Sequence, residues 1–280
     1  MLLFGEVHEG TLDIYNGIRL REKSEIKPFI RGVIKRKKST SDLLAFSIRY
    51  ACHPEPQIQT FALGLLQNAS YAEWRAAMKK APAGEIIQWL RLKKKGYHPV
   101  GYYARMLGHC SPDLNVAEPL FLKTIDKANQ STDAMIGYIV ASPQRGYQFL
   151  RGIASDTKKK FNLRYAVLRA CRFLFDRRPD LIARRDLLAI VHELMTNSNI
   201  ADLAIEELRR RKDWKHTVDV LAIADDKEFD IPIIHRAILR FALCSPTEDA
   251  KSFVQKMRQT DAEAVSEMEK LLKSERSQPK

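Results

Sequence analysis

Leu163-Arg164-Tyr165-Ala166-Val167-Leu168-Arg169 opens a stretch in which Leu163, Ala166, Val167, Ala170, Cys171 and Leu174 recur at steps of three and four. That spacing draws a wide apolar stripe along one side of a helix and lacks the alternation of a strand. The same order of an apolar residue, Arg, a small residue and Leu returns in Ile234-His235-Arg236-Ala237-Ile238-Leu239-Arg240. Earlier copies read Ile58-Gln59-Thr60-Phe61-Ala62-Leu63 and Tyr102-Tyr103-Ala104-Arg105-Met106-Leu107. Weaker ones are Met135-Ile136-Gly137-Tyr138 and Leu203-Ala204-Ile205-Glu206. Taking Ala62, Tyr102, Gly137, Ala166, Ala204 and Ala237 as markers, the steps are roughly 40, 35, 29, 38 and 33 residues, the period of stacked helical hairpins. Each hairpin can bury its stripe only against a neighbour, so the pattern predicts an extended array.

Working outward from these copies, helices are predicted almost without pause from Ser24 onward. Ser24 is read as the cap of the first, and Ser39 and Asp42 open the second. Pro54 and Pro56 suit the first turn of a third, and Ser70-Tyr71-Ala72-Glu73 forms a capping box. Further helices are expected at 83–95, 98–109, 114–128, 131–141, 143–154, 160–176, 185–197, 199–212, 213–224, 231–244, 246–258 and 261–275. Ile233, Ala237, Ile238 and Phe241 are read as a second buried stripe. The last helix, charged at Glu263, Glu267, Glu269, Lys270 and Lys273, suits the end of a stack, where one side has no neighbour. Residues 1–22 differ: turn signals at Gly10 and Asn16-Gly17 among short apolar runs predict two or three strands. The expected architecture is all-α, a right-handed α-α superhelix over 23–280 with a short β hairpin in 1–22.

Hydrophobic residues make up 45% of the chain and charged ones 29%, enough to bury a core and stay hydrated. The formal net charge of +13 favours polyanions or acidic proteins as partners. Cys52, Cys110, Cys171 and Cys244 are far apart and form no C-x-x-C pair, so a zinc ribbon and a redox dithiol motif are excluded. Buried, reduced thiols are expected. No apolar run is long enough to span a membrane, and Met1-Leu2-Leu3-Phe4 is too short for a secretory signal. The chain as given is expected in the cytoplasm, or exported if a start with a signal lies upstream.

The repeated helix resembles HEAT repeats, and the chain is similar to a family of uncharacterised bacterial HEAT-repeat domain-containing proteins. Gly108-His109-Cys110, Phe149-Leu150-Arg151-Gly152, Arg172-Phe173 and Arg177-Arg178-Pro179-Asp180 carry that resemblance. It is strongest in Ile200-Ala201-Asp202-Leu203-Ala204-Ile205-Glu206 and in Asp230-Ile231-Pro232-Ile233-Ile234. The resemblance implies an α-solenoid and no reaction, because the family has no assigned catalytic residues. It also implies a β-rich region ahead of the helices, of which Gly10 to Gly17 would be the tail.

Candidate sites are few. Lys35-Arg36-Lys37-Lys38, Lys93-Lys94-Lys95, Arg177-Arg178 and Arg209-Arg210-Arg211-Lys212 close helices, where the macrodipole favours positive charge. Lys158, Lys159 and Lys160 precede a helix, where the dipole disfavours them, so they are either the better candidates for anion contact or simply a solvated loop. Tyr97, Tyr102 and Tyr103 beside Lys93, Lys94 and Lys95 offer aromatics interleaved with cations that can stack on single-stranded nucleic acid, unless two of the three tyrosines pack within the repeat. Arg105, Arg164, Arg169, Arg236 and Arg240 either line a binding surface or pair with acidic neighbours. Trp74, Trp89 and Trp214 are expected in amphipathic helices. Cys52-His53 and His109-Cys110 carry zinc-capable groups but are read as too distant to converge. Asp202, Glu206 and Glu207 form a carboxylate group that Arg209 and Arg210 can neutralise. No phosphate loop, nucleophile elbow or H-E-x-x-H motif is present. No catalytic residue, cofactor or metal ligand is assigned. The expected function is non-enzymatic: a scaffold holding a partner protein or peptide, with nucleic acid as the alternative partner.

Overall fold

The computed structural model describes residues 2–18, 23–92, 99–110, 112–126 and 131–277. Among these residues the fold is all-α apart from one hairpin. The strands are β1 (Leu2–His8) and β2 (Thr11–Ile18). The helices of the first part are α1 (Ile26–Arg36), α2 (Thr40–Ile48), α3 (Pro56–Gln67), α4 (Tyr71–Met78) and α5 (Ala83–Arg91). They continue as α6 (Val100–His109), α7 (Leu114–Ile125), α8 (Ser131–Ala141), α9 (Pro143–Ala154), α10 (Phe161–Arg177) and α11 (Arg184–Met195). The last are α12 (Ala201–Arg210), α13 (Thr217–Ala222), α14 (Pro232–Cys244), α15 (Glu248–Thr260) and α16 (Ala262–Ser277). No described helix is long and apolar enough to cross a membrane.

The chain divides into two compact units: Met1–Lys95 with His109–Pro112, and Gly96–Gly108 with Asp113–Lys280. In the first unit, Glu9 and Gly10 take positive φ and turn β1 back onto β2. Asn16-Gly17, read from sequence as a second turn, lies inside β2. There Phe4 faces Asn16 while Gly5 faces Ile14, so Tyr15 is the extra residue of a bulge. The helical core of this unit gathers Ile26, Phe29, Phe46, Ile58 and Ala62. The rings of Phe29, Phe46 and Tyr50 meet there at 4.8 to 5.7 Å. Ser24 stands one residue ahead of the cap position. Its hydroxyl accepts from the Ile26 N–H at 3.3 Å and bonds the Glu55 carboxylate at 2.5 Å, tying α1 to the start of α3.

In the second unit many helices pack on the next, as in α7–α8, α8–α9, α11–α12 and α14–α15, and several on the next but one, as in α8–α10, α9–α11, α12–α14 and α14–α16. The α10 stripe is buried as its spacing requires, with Ala166 at 4% exposure and Val167, Ala170, Cys171 and Leu174 at 0%. In α14 Ala237, Ile238 and Phe241 are buried as expected, and one position differs. Ile233 is 56% exposed and Ile234 is buried in its place. Because α14 begins at Pro232, the buried set Ile234, Ala237, Ile238 and Phe241 follows the helical spacing from residue 234. The end of the unit is one-sided: Val265 and Met268 of α16 join Leu239, Ala242, Ala250 and Val254 in one cluster, Leu272 is buried as well, and Glu263, Glu267, Lys270 and Lys273 are exposed.

The helix expected over 213–224 is broken. Trp214–His216 and Ile223–Asp225 are 3-10 turns flanking α13. Lys212 takes a φ of 54°, which redirects the chain, and the Thr217 hydroxyl donates to the Trp214 carbonyl at 2.7 Å, competing with regular helix. Trp214 therefore lies in a 3-10 turn and not in an amphipathic helix, with its ring edge-on to Phe241 at 5.1 Å. Burial and the neighbouring His192 hold the His216 pKa below the ordinary imidazole value.

Three helices of this unit are joined by one ion network. Arg209 grips Glu206 with two nitrogens at 2.5 and 3.0 Å, Arg210 adds a bond at 3.2 Å, and Arg240 of α14 stands 3.6 Å away. Glu275 of α16 takes bonds from both Arg209 and Arg240. Burial pushes the Glu206 pKa up, but the Arg209 bonds and the charges of Arg209 and Arg240 outweigh it and hold the carboxyl below its ordinary value. The sign follows from proton counting. The unfolded chain binds the proton more readily, so this contribution is complete above about pH 4.5 and is lost as pH falls through the folded value. Glu206→Gln should therefore lower stability at neutral pH and flatten its decline in acid. Urea midpoints measured from neutral pH down into the acid range check this.

Candidate functional site

The residues singled out by sequence are dispersed. Lys93, Lys94, Lys95 and Tyr97 lie outside the described residues. Tyr102 and Tyr103 are buried at 8% and 1%, so they belong to the packing and offer no stacking platform. Lys158, Lys159 and Lys160 are exposed on the turn before α10, which is folded around Asp156. The Lys158 N–H donates to the Asp156 carboxylate at 2.9 Å, and the Lys159 ammonium stands 3.8 Å from it. Arg164 reaches back beneath this turn and is 2% exposed. It donates to the carbonyls of Asp156 and Thr157 at 3.3 and 3.0 Å and to the Asn199 amide oxygen at 2.9 Å. Burial lowers its pKa from the ordinary guanidinium value. Arg164 is thus a buried brace and lines no surface, because the carbonyls of an otherwise open turn need its donors. Arg240 is committed to Glu206 and Glu275. Arg169 and Arg236 are exposed, with the Arg169 guanidinium 5.9 Å from the Tyr165 ring centre.

Most remaining basic runs also have structural duties. Arg178 pairs with Asp180 through two bonds of 2.8 and 2.9 Å. Arg211 bonds Glu207 at 2.8 Å and Asp176 at 2.6 Å. The four cysteines are free thiols. Burial pushes Cys52, Cys110 and Cys171 up to about 12, far from the thiolate form a nucleophile needs. Cys52 and Cys110 both belong to the first unit, where the Glu85 charge and then the Cys110 charge add to the rise at Cys52. Trp89 donates its indole N–H to the Cys52 carbonyl at 2.6 Å, and the Cys110 thiol donates to the Met78 carbonyl at 3.5 Å.

A groove of about 690 Å³ in the first unit has the form of a binding site. One wall is α2, whose Ser39 cap accepts the Asp42 N–H; the other is α4, held by the reciprocal Ser70–Glu73 capping box. Ser41, Leu44, Ala45 and Ile48 project from α2, and Glu73, Ala76, Ala77 and Lys80 from α4 and its end. Both sets follow the i, i+3, i+4, i+7 spacing of one helix face. The alanines are too short to fill the space between the walls, which leaves a groove with an apolar floor. Pro82 and Glu85 close one end, and Arg49 stands at the rim.

Arg49 and Ala45 are shared with a second cavity of about 450 Å³, lined also by Lys35, Arg36, Lys38, Ser39 and Asp42. Arg36 is fixed there, donating to the Gly32 carbonyl at 3.0 Å with its guanidinium 4.4 Å over the Phe46 ring. Lys35, Lys38, Arg49 and Lys80 form no ion pair among the described residues. The arrangement can bury apolar side chains on its floor and neutralise carboxylates or phosphates at its basic end. The sequence shows Lys35 and Arg36 in the last turn of α1, where the dipole alone accounts for them. The signal for a groove was the pair of seven-residue patterns ending at Ile48 and Lys80, each with alanine where a core would place a larger side chain. No family model, no curated protein and no solved structure matches this chain.

Proposed function

We propose that this chain is a non-enzymatic interaction protein whose first unit holds an acidic, amphipathic peptide segment of a partner in the α2–α4 groove. One observation carries the reading: a groove with an apolar floor runs into a cavity lined by Lys35, Arg36, Lys38 and Arg49 against the single carboxylate of Asp42, and these cations form no ion pair among the described residues. Burial of the peptide's apolar side chains would supply affinity at about 25 cal/mol per Å² before the cost of ordering the peptide. The cations would fix its direction and speed encounter with an acidic segment. The second unit, with its contacts between alternate helices, is read as the HEAT-like right-handed superhelix that the repeats suggest.

Nucleic acid is the second reading, favoured by the net charge of +13 and by exposed Lys158, Lys160, Arg169 and Arg236. Fluorescence polarisation separates the two. The probes are a labelled peptide alternating leucine and alanine with glutamate, its lysine counterpart, and a labelled DNA duplex. The glutamate peptide should bind. Charge reversal in R49E/K80E should weaken it by about tenfold or more, with little change in the melting temperature because both side chains are exposed. Duplex binding with a steep salt slope, unaffected by R49E/K80E, would transfer the assignment to nucleic acid.

A further inference from the structure

Two histidines from different parts of the sequence meet in the second unit. His192 lies in the last turn of α11, and His216 ends the 3-10 turn Trp214–His216. Their ring centres are 4.1 Å apart with a tilt of 42°. Asp219, in the first turn of α13, places Oδ2 3.1 Å from His192 Nε2. One ligand atom from each of His192, His216 and Asp219 lies within 4.8 Å of the others. We propose that these three side chains form a binding site for a divalent zinc-class ion, independent of the peptide groove.

The support around the cluster is that of a metal site. Asp213 is 6% exposed, and its Oδ2 lies 3.1 Å from His216 Nδ1. A carboxylate that takes the Nδ1 proton leaves the Nε2 lone pair free to ligate and fixes the plane of the ring. The Thr217–Trp214 bond stiffens the turn that carries His216. Two imidazoles and one carboxylate suit zinc and its neighbours, whereas magnesium and calcium prefer oxygen alone. Ligand atoms about 2 Å from a shared zinc stand about 3.3 Å apart in a tetrahedron, so small side-chain rotations close the site. His192 and His216 keep 29% and 27% side-chain exposure and Asp219 keeps 55%, which leaves a solvent side for a water or a partner's ligand. The ion would strengthen the link between the end of α11 and the start of α13 that the His192–Asp219 bond already makes.

The test is calorimetric titration of zinc chloride into the full chain, reduced and freed of metal, in a non-coordinating buffer. One ion should bind per chain. D219N, a change at an exposed carboxylate that the fold tolerates, should weaken binding at least tenfold, and H192Q/H216Q should abolish it. D213N keeps all three ligands and should still cost about 10- to 100-fold, the usual effect of losing such an orienting carboxylate. H235Q, which alters a histidine paired with Asp230 elsewhere, should change nothing. Cobalt in place of zinc should give tetrahedral visible absorption without a thiolate charge-transfer band. Failure to bind zinc, binding retained by H192Q/H216Q, or a thiolate band would overturn the proposal, the second by placing the ion elsewhere and the third by placing it on the cysteines.

Discussion

Gly108→Ala should destabilise the second unit by about 3 kcal/mol, an unusually large effect for one added methyl. A Cβ at Gly108 would lie 2.6 Å from the carbonyl carbon and the Cα of Gly137, with the Gly137 carbonyl oxygen nearer still. The obstacle is the backbone of α8, which cannot rotate aside as a side chain would. Gly137→Ala meets the mirror problem, its Cβ falling 2.8 Å from the Ala104 carbonyl carbon of α6. The two helices therefore cross glycine on glycine, and the double variant should cost less than the sum because both methyls push the same helices apart. Gly146 repeats the device on the other side of α8, where a Cβ would reach the Ile139 Cα at 2.5 Å. The control is Gly152→Ala in the last turn of α9, where no atom lies within 4 Å of the added methyl. There alanine should stabilise by about 0.5 kcal/mol through helix propensity alone. Urea unfolding followed by circular dichroism measures all four; a Gly108→Ala midpoint equal to wild type would mean that α6 and α8 do not meet at these glycines.

Glu207→Ala should cost about 3–5 kcal/mol, the usual penalty for breaking a buried ion cluster on one side. Glu207 is 1% exposed and receives Arg172 Nε at 2.6 Å and Arg211 Nε at 2.8 Å. Its loss leaves two guanidinium groups facing each other in a half-buried space, with only Asp176 left to Arg211. Glu207→Gln, which keeps the shape and removes the charge, should recover only part of the loss. Arg172→Met together with Glu207→Leu should do better than either single change, because no charge is then stranded. Thermal unfolding of the four chains tests this. If Glu207→Ala costs under 1 kcal/mol, the cluster is solvated and this account of it fails.

The acidic helix face containing Asp202, Glu206 and Glu207 shows how far residue patterns reach. Neutralisation of Glu206 by Arg209 and Arg210 could be read from i, i+3 and i, i+4 spacing. The roles of Arg172, Arg240 and Glu275 could not, because they come from other helices. For Arg164 the sequence leaves open whether it lines or braces a surface, because its partners are the Asp156 and Thr157 carbonyls and the Asn199 amide, which carry no signature in sequence. His192 and His216 are equally silent alone. Only the acidic residues three before and three after His216 hint that its ring is held.

The sequence by itself determined the helices and which side of each is greasy, because a 3.6-residue period is a local property of the chain and hydration acts on it directly. Only tertiary packing placed α2 beside α4 to form the groove and brought His192, His216 and Asp219 together. Those depend on rotation and offset between packed helices, set by how many side chains interlock at once, and no single segment carries that information.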